Sequence, residues 1–366
     1  MLGGLRETLL MGPGPSSVRE TVYKAIGMNT IGHLDPYYLQ IMDAIKEQLQ
    51  SVFETKNKMT MSISGTGSAG METCYVNLIE PGDRVLILVN GYFGLRMKEV
   101  AERLGADVSV LEFEWGTPVK IETVAEELGK NDYKIVALVH GETSTGVLNP
   151  AEAIGRLVKK ANALFLLDAV TTFGGYEVPL DRWNVDAVYS ASQKCLSCPP
   201  GLSPVSFSDR AVEVLNSRKN KVPNFYLDLS VLIDYWEGGK RAYHHTASSN
   251  LNCALYQALA DFLEEGAEAV YARHVEAHTY LVGELEKLGL KMFVEEGSRL
   301  PMLNAVVCPD GIDEAAVRSK LLSDYHIEIG AGLGPLAGKI WRVGLMGHTA
   351  RAENVDRFVS ALQKLL

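Results

Sequence analysis

Val185-Asp-Ala-Val-Tyr-Ser-Ala-Ser-Gln-Lys194-Cys-Leu-Ser-Cys-Pro-Pro-Gly201 changes character twice. Val185 to Tyr189 is mostly apolar and reads as a short buried strand. Small polar residues and one lysine follow, and Pro-Pro-Gly then bars a helix. A lysine held on a rigid strand-end loop suits Schiff-base chemistry, because partial desolvation lets its amine shed a proton and attack a carbonyl. Taken alone, a solvated loop lysine is the commoner reading. The rest of the chain has to decide between them.

Outward from this stretch, short apolar runs alternate with helical patterns. Met59–Ile63, Val85–Val89, Lys134–Val139, Leu164–Leu167, Val185–Tyr189 and Pro204–Phe207 read as buried strands. The segments 68–79, 92–104, 121–129 and 151–162 between them read as helices. That alternation predicts an α/β fold whose mostly parallel central sheet carries helices on both faces, with ligands beyond the carboxyl ends of the strands. Toward the N-terminus, Pro36 to Phe53 has the spacing of an amphipathic helix, with Leu39, Ile41, Met42, Ile45, Leu49 and Val52 as its apolar residues. Ser17 and Glu20 form a capping-box pattern for a helix starting near Val18. Ahead of them, Leu9-Leu-Met-Gly-Pro-Gly-Pro-Ser-Ser17 is an apolar piece running into a rigid turn.

Beyond Ser208 the pattern loosens, then gives two long helices near 250–264 and 267–288. Strands at Asn304–Val307, His326–Ile329 and Ile340–Leu345 mix with helices at Glu314–Leu322 and Ala352–Leu366, which predicts a smaller C-terminal α+β domain. The expected division is an N-terminal arm over 1–16, a large domain over 17–255 and a small domain over 256–366. A length of 366 residues suits two such cores.

Composition narrows the function classes. A net charge of −10 without a basic tract argues against nucleic acid and anionic membranes as partners. Five cysteines do not make a disulfide framework, so a reducing cytoplasm is the expected location. No apolar run approaches the roughly 18 residues of a membrane span, and the N-terminus has no signal-peptide pattern.

The residues that follow each strand carry the chemistry. Gly65-Thr-Gly-Ser-Ala-Gly70 matches G-x-G-x-x-G, but the next strand ends Val89-Asn90-Gly91 without the acid that would hold a ribose. What survives is a nest for one phosphate at a helix N-terminus, with the Thr66 and Ser68 hydroxyls beside it. After the second strand, Tyr92 or Phe93 could lie flat on a planar ring. The third ends His140-Gly-Glu-Thr-Ser-Thr-Gly146, a polar loop able to line a pocket near a ring substituent. The fourth delivers Asp168 after four large apolar residues, and a buried carboxylate there calls for a cation or full hydrogen bonding. A protonated pyridine nitrogen would be such a cation. Lys194 supplies an amine for an aldehyde. Phosphate, flat ring, ring nitrogen and aldehyde together describe pyridoxal 5′-phosphate.

These residues resemble the class V, fold-type I aminotransferases, and among them the alanine–glyoxylate and serine–pyruvate aminotransferases. The likeness runs through Gly12-Pro-Gly-Pro-Ser16, Ser64-Gly-Thr-Gly67, Glu80-Pro-Gly-Asp83, His140 to Gly146, Ser192-Gln-Lys194 with Pro199-Pro-Gly201, Tyr243-His-His-Thr246, and Gly332-Leu-Gly-Pro335 before Arg342. The resemblance implies a homodimer with active sites at the subunit interface. It implies that Lys194 carries the cofactor, that Asp168 holds the pyridine nitrogen and that Thr66, Gly67 and Gln193 hold the phosphate. Thr143 would lie near the ring hydroxyl and Val170 against the ring, while Tyr243 and Thr246 would reach the phosphate of the neighbouring subunit. Gly14 and Arg342 would face the substrate. Two positions depart from the mammalian members: Phe93 stands for their ring-stacking tryptophan and Ser68 for a histidine beside the phosphate loop. Arg342 also has an argument of its own, since an arginine inside an apolar strand needs a planar acceptor such as a substrate carboxylate.

Other patterns are weaker. Cys195-x-x-Cys198 lacks a second ligand pair and a thioredoxin-like context. His244 and His245 are adjacent and would point opposite ways in a strand, and no grouping has metal-ligand spacing. The expectation is therefore a transaminase that moves an amino group between a small amino acid, alanine or serine, and a 2-oxo acid, glyoxylate or pyruvate. The alternatives are a ureidoglycine–glyoxylate aminotransferase, a phosphonate or sulfonate amine transaminase, and a pyridoxal-phosphate-dependent lyase or non-catalytic regulator. The ureidoglycine branch ranks lower because it tends to lack the tyrosine that stands here as Tyr243.

Overall fold

The computed structural model describes residues 6–237 and 241–366. Seven strands form the central sheet: β1 (Met59–Ser64), β2 (Arg84–Val89), β3 (Asp107–Glu112), β4 (Ile135–Val139), β5 (Leu164–Asp168), β6 (Ala187–Tyr189) and β7 (Leu202–Phe207). Their spatial order is β1-β7-β6-β5-β4-β2-β3. All run the same way except β7, which is antiparallel to both β1 and β6. Strands β2, β4, β5 and β6 are buried almost throughout, as expected where helices cover both faces.

The edge strand β3 is absent from the expectation above. Its Asp-Val-Ser-Val-Leu-Glu alternates and is only half-buried, so it lacks the apolar run that marks its neighbours. The helices Asp209–Asn216 and Leu229–Trp236 were likewise hidden by short length. The capping box does not form. The helix begins at Glu20 with an N-cap, Arg19, that makes no side-chain cap, while Ser17 accepts from the Leu10 N–H at 3.2 Å.

Two large buried clusters make most of the core among the described residues. The larger collects apolar residues from Val22 to Val270 around the seven-stranded sheet. The smaller joins Leu9 and Met11 to residues from Ala277 onward, around a three-stranded sheet of β8 (Leu303–Val307), β9 (Gly330–Ala331) and β10 (Ile340–Gly344). Leu9–Leu10 pairs in parallel with Ile327–Glu328, so the N-terminal arm packs on the C-terminal domain. A division after residue 255 would cut the helix Ser249–Glu265, whose buried Leu255, Leu259 and Phe262 belong to the larger cluster. We place the division within the next helix, Ala267–Lys287, between Val270 and Ala277.

Candidate active site

A cleft opens where the sheet logic puts it, beyond the carboxyl ends of the parallel strands. Thr66, Gly67, Ser68, Phe93, Thr143, Asp168, Val170, Gln193 and Lys194 all line it, together with Met71, Arg96 and Tyr189. They come from strand ends and from the turns and first helical turns that follow β1, β2, β4, β5 and β6, so the sheet fixes their mutual distances.

The helix Gly67–Leu78 points its first turn at the cleft with no side-chain cap on Thr66. That leaves an uncapped positive helix terminus beside two free hydroxyls. Gly67 is tightly packed, since a Cβ there would meet the Ala191 Cβ at 3.0 Å. This holds the helix start against the loop that carries Gln193 and Lys194. The Gln193 side-chain oxygen is buried without a partner among the described residues.

Asp168 ends β5 and is 5% exposed. Its Oδ1 accepts from the Val170 N–H at 2.8 Å and its Oδ2 from the Tyr189 hydroxyl at 2.8 Å. Burial pushes its carboxyl up to about 6, against those two donors and the nearby Lys194 and Arg96 charges. Tyr189 was not expected to take part, yet it sits opposite Asp168 in the β5–β6 register. Matching the ends of neighbouring strands would have found it.

Lys194 lies under the Gly12–Ser16 turn. Its amine donates to the Pro13 carbonyl. Gly14 has a φ of 113°, and a Cβ there would come within 2.6 Å of the Lys194 Nζ; only glycine fits both conditions. Ser16 ties the turn down, its hydroxyl donating to the Lys194 carbonyl at 2.6 Å. Burial pushes the Lys194 amine down to about 8, helped by the Arg342 charge. Arg342, on β10, is 6% exposed. Its Nε donates to the Ala331 carbonyl at 2.6 Å and its Nη1 to the Thr143 carbonyl at 3.2 Å. No carboxylate hydrogen-bonds to this guanidinium among the described residues, and burial lowers its pKa to about 10.

Tyr243 and Thr246 stand apart. Neither lines the cleft of its own chain; Tyr243 is 61% exposed, with its ring 5.2 Å from that of His33. The segment is not a strand, so His244 and His245 do not point opposite ways: their Nδ1 atoms are 2.9 Å apart, and His245 Nε2 lies 2.8 Å from the Ser64 hydroxyl. Cys195 and Cys198 are buried free thiols whose pKa values burial raises to about 12, which suits packing rather than redox chemistry. Arg96 and the buried pair Glu142 and Ser144 also went unassigned in the sequence. Arg96 carries its guanidinium 5.2 Å from the Phe93 ring centre.

An amine poised for a carbonyl, a buried acid, an uncapped helix terminus and a guanidinium around one cleft suit pyridoxal 5′-phosphate, and the aminotransferase class-V family model matches residues 19–358. The chain belongs to the class-V aminotransferases, enzymes whose cofactor is pyridoxal 5′-phosphate. It is 40% identical over 375 residues to the (S)-ureidoglycine–glyoxylate transaminase of Bacillus subtilis, covering 98% of this chain and 90% of that protein. It is 41% identical over 361 residues to the alanine–glyoxylate aminotransferase of Callithrix jacchus, covering 98% of this chain and 87% of the relative. Among solved structures, the alanine–glyoxylate aminotransferase of Nostoc sp. superposes with a TM-score of 0.97 at 46% identity, covering 99% of this chain and 96% of that one.

Proposed function

We propose that the protein transfers an amino group from alanine or serine to glyoxylate, with pyruvate as the other acceptor. The observation that carries this reading is Arg342: a buried guanidinium whose charge acts on the Lys194 amine, and to which no carboxylate hydrogen-bonds among the described residues, is matched by a substrate that brings one. The relatives named above act on glyoxylate, which supports it as acceptor. When bound, pyridoxal 5′-phosphate supplies an aldehyde that takes the amino group and a ring that withdraws electrons from the substrate Cα.

The chain's own groups do the rest. Thr66, Gly67, Ser68 and Gln193 hold the phosphate, through hydroxyl, amide and helix-terminal N–H groups. Asp168 would keep a proton on the ring nitrogen, because a buried carboxylate backed by Tyr189 is far better matched by a cation than by a neutral atom. Phe93 and Val170 would hold the ring, with Thr143 near its hydroxyl. Lys194 would hold the aldehyde, and its amine, shifted toward neutrality, is suited both to take the proton at the substrate Cα and to return it. Arg342 and Gly14 orient the carboxylate so that the Cα proton faces Lys194.

We further infer a homodimer. Tyr243 and Thr246 lie outside their own cleft, and Tyr37, Met28, Phe225 and Tyr256 leave apolar surface exposed. Both features suit a second copy whose phosphate site they complete. Five free thiols favour the reducing cytoplasm. A donor-by-acceptor matrix on purified enzyme tests the function. Alanine or serine with glyoxylate should turn over fastest. Fastest turnover with ureidoglycine, or with a phosphonate or sulfonate amine, would reject the assignment.

A further inference from the structure

Glu142 is a carboxylate with 0% exposure beside the cleft, and the roles above leave it unused. Its Oε2 accepts from the N–H groups of Phe93 at 3.2 Å and Gly94 at 3.3 Å. Its Oε1 accepts from the Ser144 N–H at 3.1 Å and the Ser144 hydroxyl at 2.5 Å. Ser144 Oγ in turn accepts from the Tyr92 N–H at 2.9 Å. Two side chains thus take up the first-turn N–H groups of the helix Tyr92–Arg103, the turn that presents Phe93. Gly91 makes the approach possible, since a Cβ there would overlap the Glu142 side chain and sit 2.6 Å from Ser144 Oγ.

The residue between them points the other way. Thr143 lines the cleft, and its carbonyl accepts from Arg342 Nη1 at 3.2 Å. A hydroxyl or amide would suffice as a helix cap. A fully buried carboxylate costs more to desolvate than either, so its charge needs a further use. Arg342 supplies one. It too is buried, its guanidinium is hydrogen-bonded to the carbonyl of the residue next to Glu142, and the Glu142 charge acts on it in the direction that keeps its proton.

We propose that Glu142 is a positioning residue for transamination, one buried carboxylate that clamps the helical turn of Phe93 against the cofactor ring and, through the backbone of the adjoining Thr143, seats the guanidinium of Arg342 where the substrate carboxylate docks. This rests on the roles proposed above for Phe93 and Arg342. Both substrates present a carboxylate to the same guanidinium, so both should feel the loss of Glu142. The charged groups facing Glu142 are Asp168 and Arg342; burial first, then Asp168, raises its carboxyl to about 7, against the Ser144 and Gly94 hydrogen bonds. Its charge is therefore present above about 7 and lost below.

The test is Glu142→Gln in the holoenzyme. Wild-type enzyme is first shown to transaminate and to hold the cofactor on Lys194, which separates failure of this proposal from failure of the reading beneath it. KM for alanine and for glyoxylate should both rise about tenfold, with kcat within about threefold of wild type. Wild-type KM should climb as pH falls below about 7 and the variant's should stay flat. Visible circular dichroism of the bound cofactor should change as Phe93 loosens. Unchanged KM at every pH, or a fall in kcat with KM unmoved, would overturn the proposal. Should Glu142→Gln fail to fold, Ser144→Ala decides: altered dichroism with unchanged KM supports the clamp, and unaltered dichroism rejects it.

Discussion

The strand-end loops and the 243–246 segment make opposite uses of the same chain. Asp168, Lys194 and Thr143 are held by hydrogen bonds within one subunit, on elements that the larger core makes rigid. Tyr243 and Thr246 are exposed and reach nothing in their own cleft. Chemistry thus sits where a single folded chain can preorganise it, whereas the proposed phosphate contacts from the second region wait for a second copy. Substitutions in the first region should therefore act on turnover at any protein concentration. Those in the second should act on cofactor retention, and more so on dilution.

The largest effect is expected at Lys194. Lys194→Ala removes the side chain proposed as both attachment point and proton carrier, and should lower kcat by about four orders of magnitude or more, read by coupled assay under saturating cofactor. Retention of even a hundredth of wild-type kcat would break the assignment. Asp168→Asn keeps the shape but not the charge, and should cost about a hundredfold to a thousandfold in kcat with the cofactor still bound by absorbance. Arg342→Lys trades a planar fork for a point charge; KM for alanine and glyoxylate should rise together by about tenfold to a hundredfold. Thr246→Ala and Tyr243→Phe should weaken cofactor affinity by about tenfold or less, measured by equilibrium dialysis, with little change in kcat at saturation. If these two variants lowered kcat at saturating cofactor as Asp168→Asn does, the contrast between the regions would collapse.

A pH experiment sharpens the same contrast. Burial pushes the Lys194 amine down to about 8, so below that value it is mostly protonated and above it mostly free. The rate at which apoprotein captures added pyridoxal 5′-phosphate should therefore rise with pH and level off above about 8. A rate still climbing toward the ordinary lysine range would mean that the amine is solvated.

Legibility followed burial. Strands β2, β4, β5 and β6 are apolar through most of their length and could be read directly, and residues of the segments that follow them could then be placed at the cleft. The half-exposed edge strand β3 could not, because its alternating residues carry no continuous apolar signal. Asp168 and Lys194, which line the cleft, stand out in the sequence because a lone charge against apolar residues is conspicuous. Tyr189 and Glu142 were missed for the converse reason. A tyrosine closing a strand looks like core filling, and a glutamate in a polar loop looks solvated until the fold lays it under a helix terminus. The failed Ser17–Glu20 cap shows the limit of local patterns, since long-range partners claimed Ser17: its backbone N–H donates to the Thr349 hydroxyl at 3.3 Å.

Every role proposed here depends on the cofactor being joined to one particular amine. Borohydride reduction of the holoenzyme, followed by peptide mass mapping, reads that directly. A pyridoxyl adduct confined to the peptide that contains Ser192-Gln-Lys194 is the expected result; an unmodified Lys194, or an adduct on a different lysine, would contradict it.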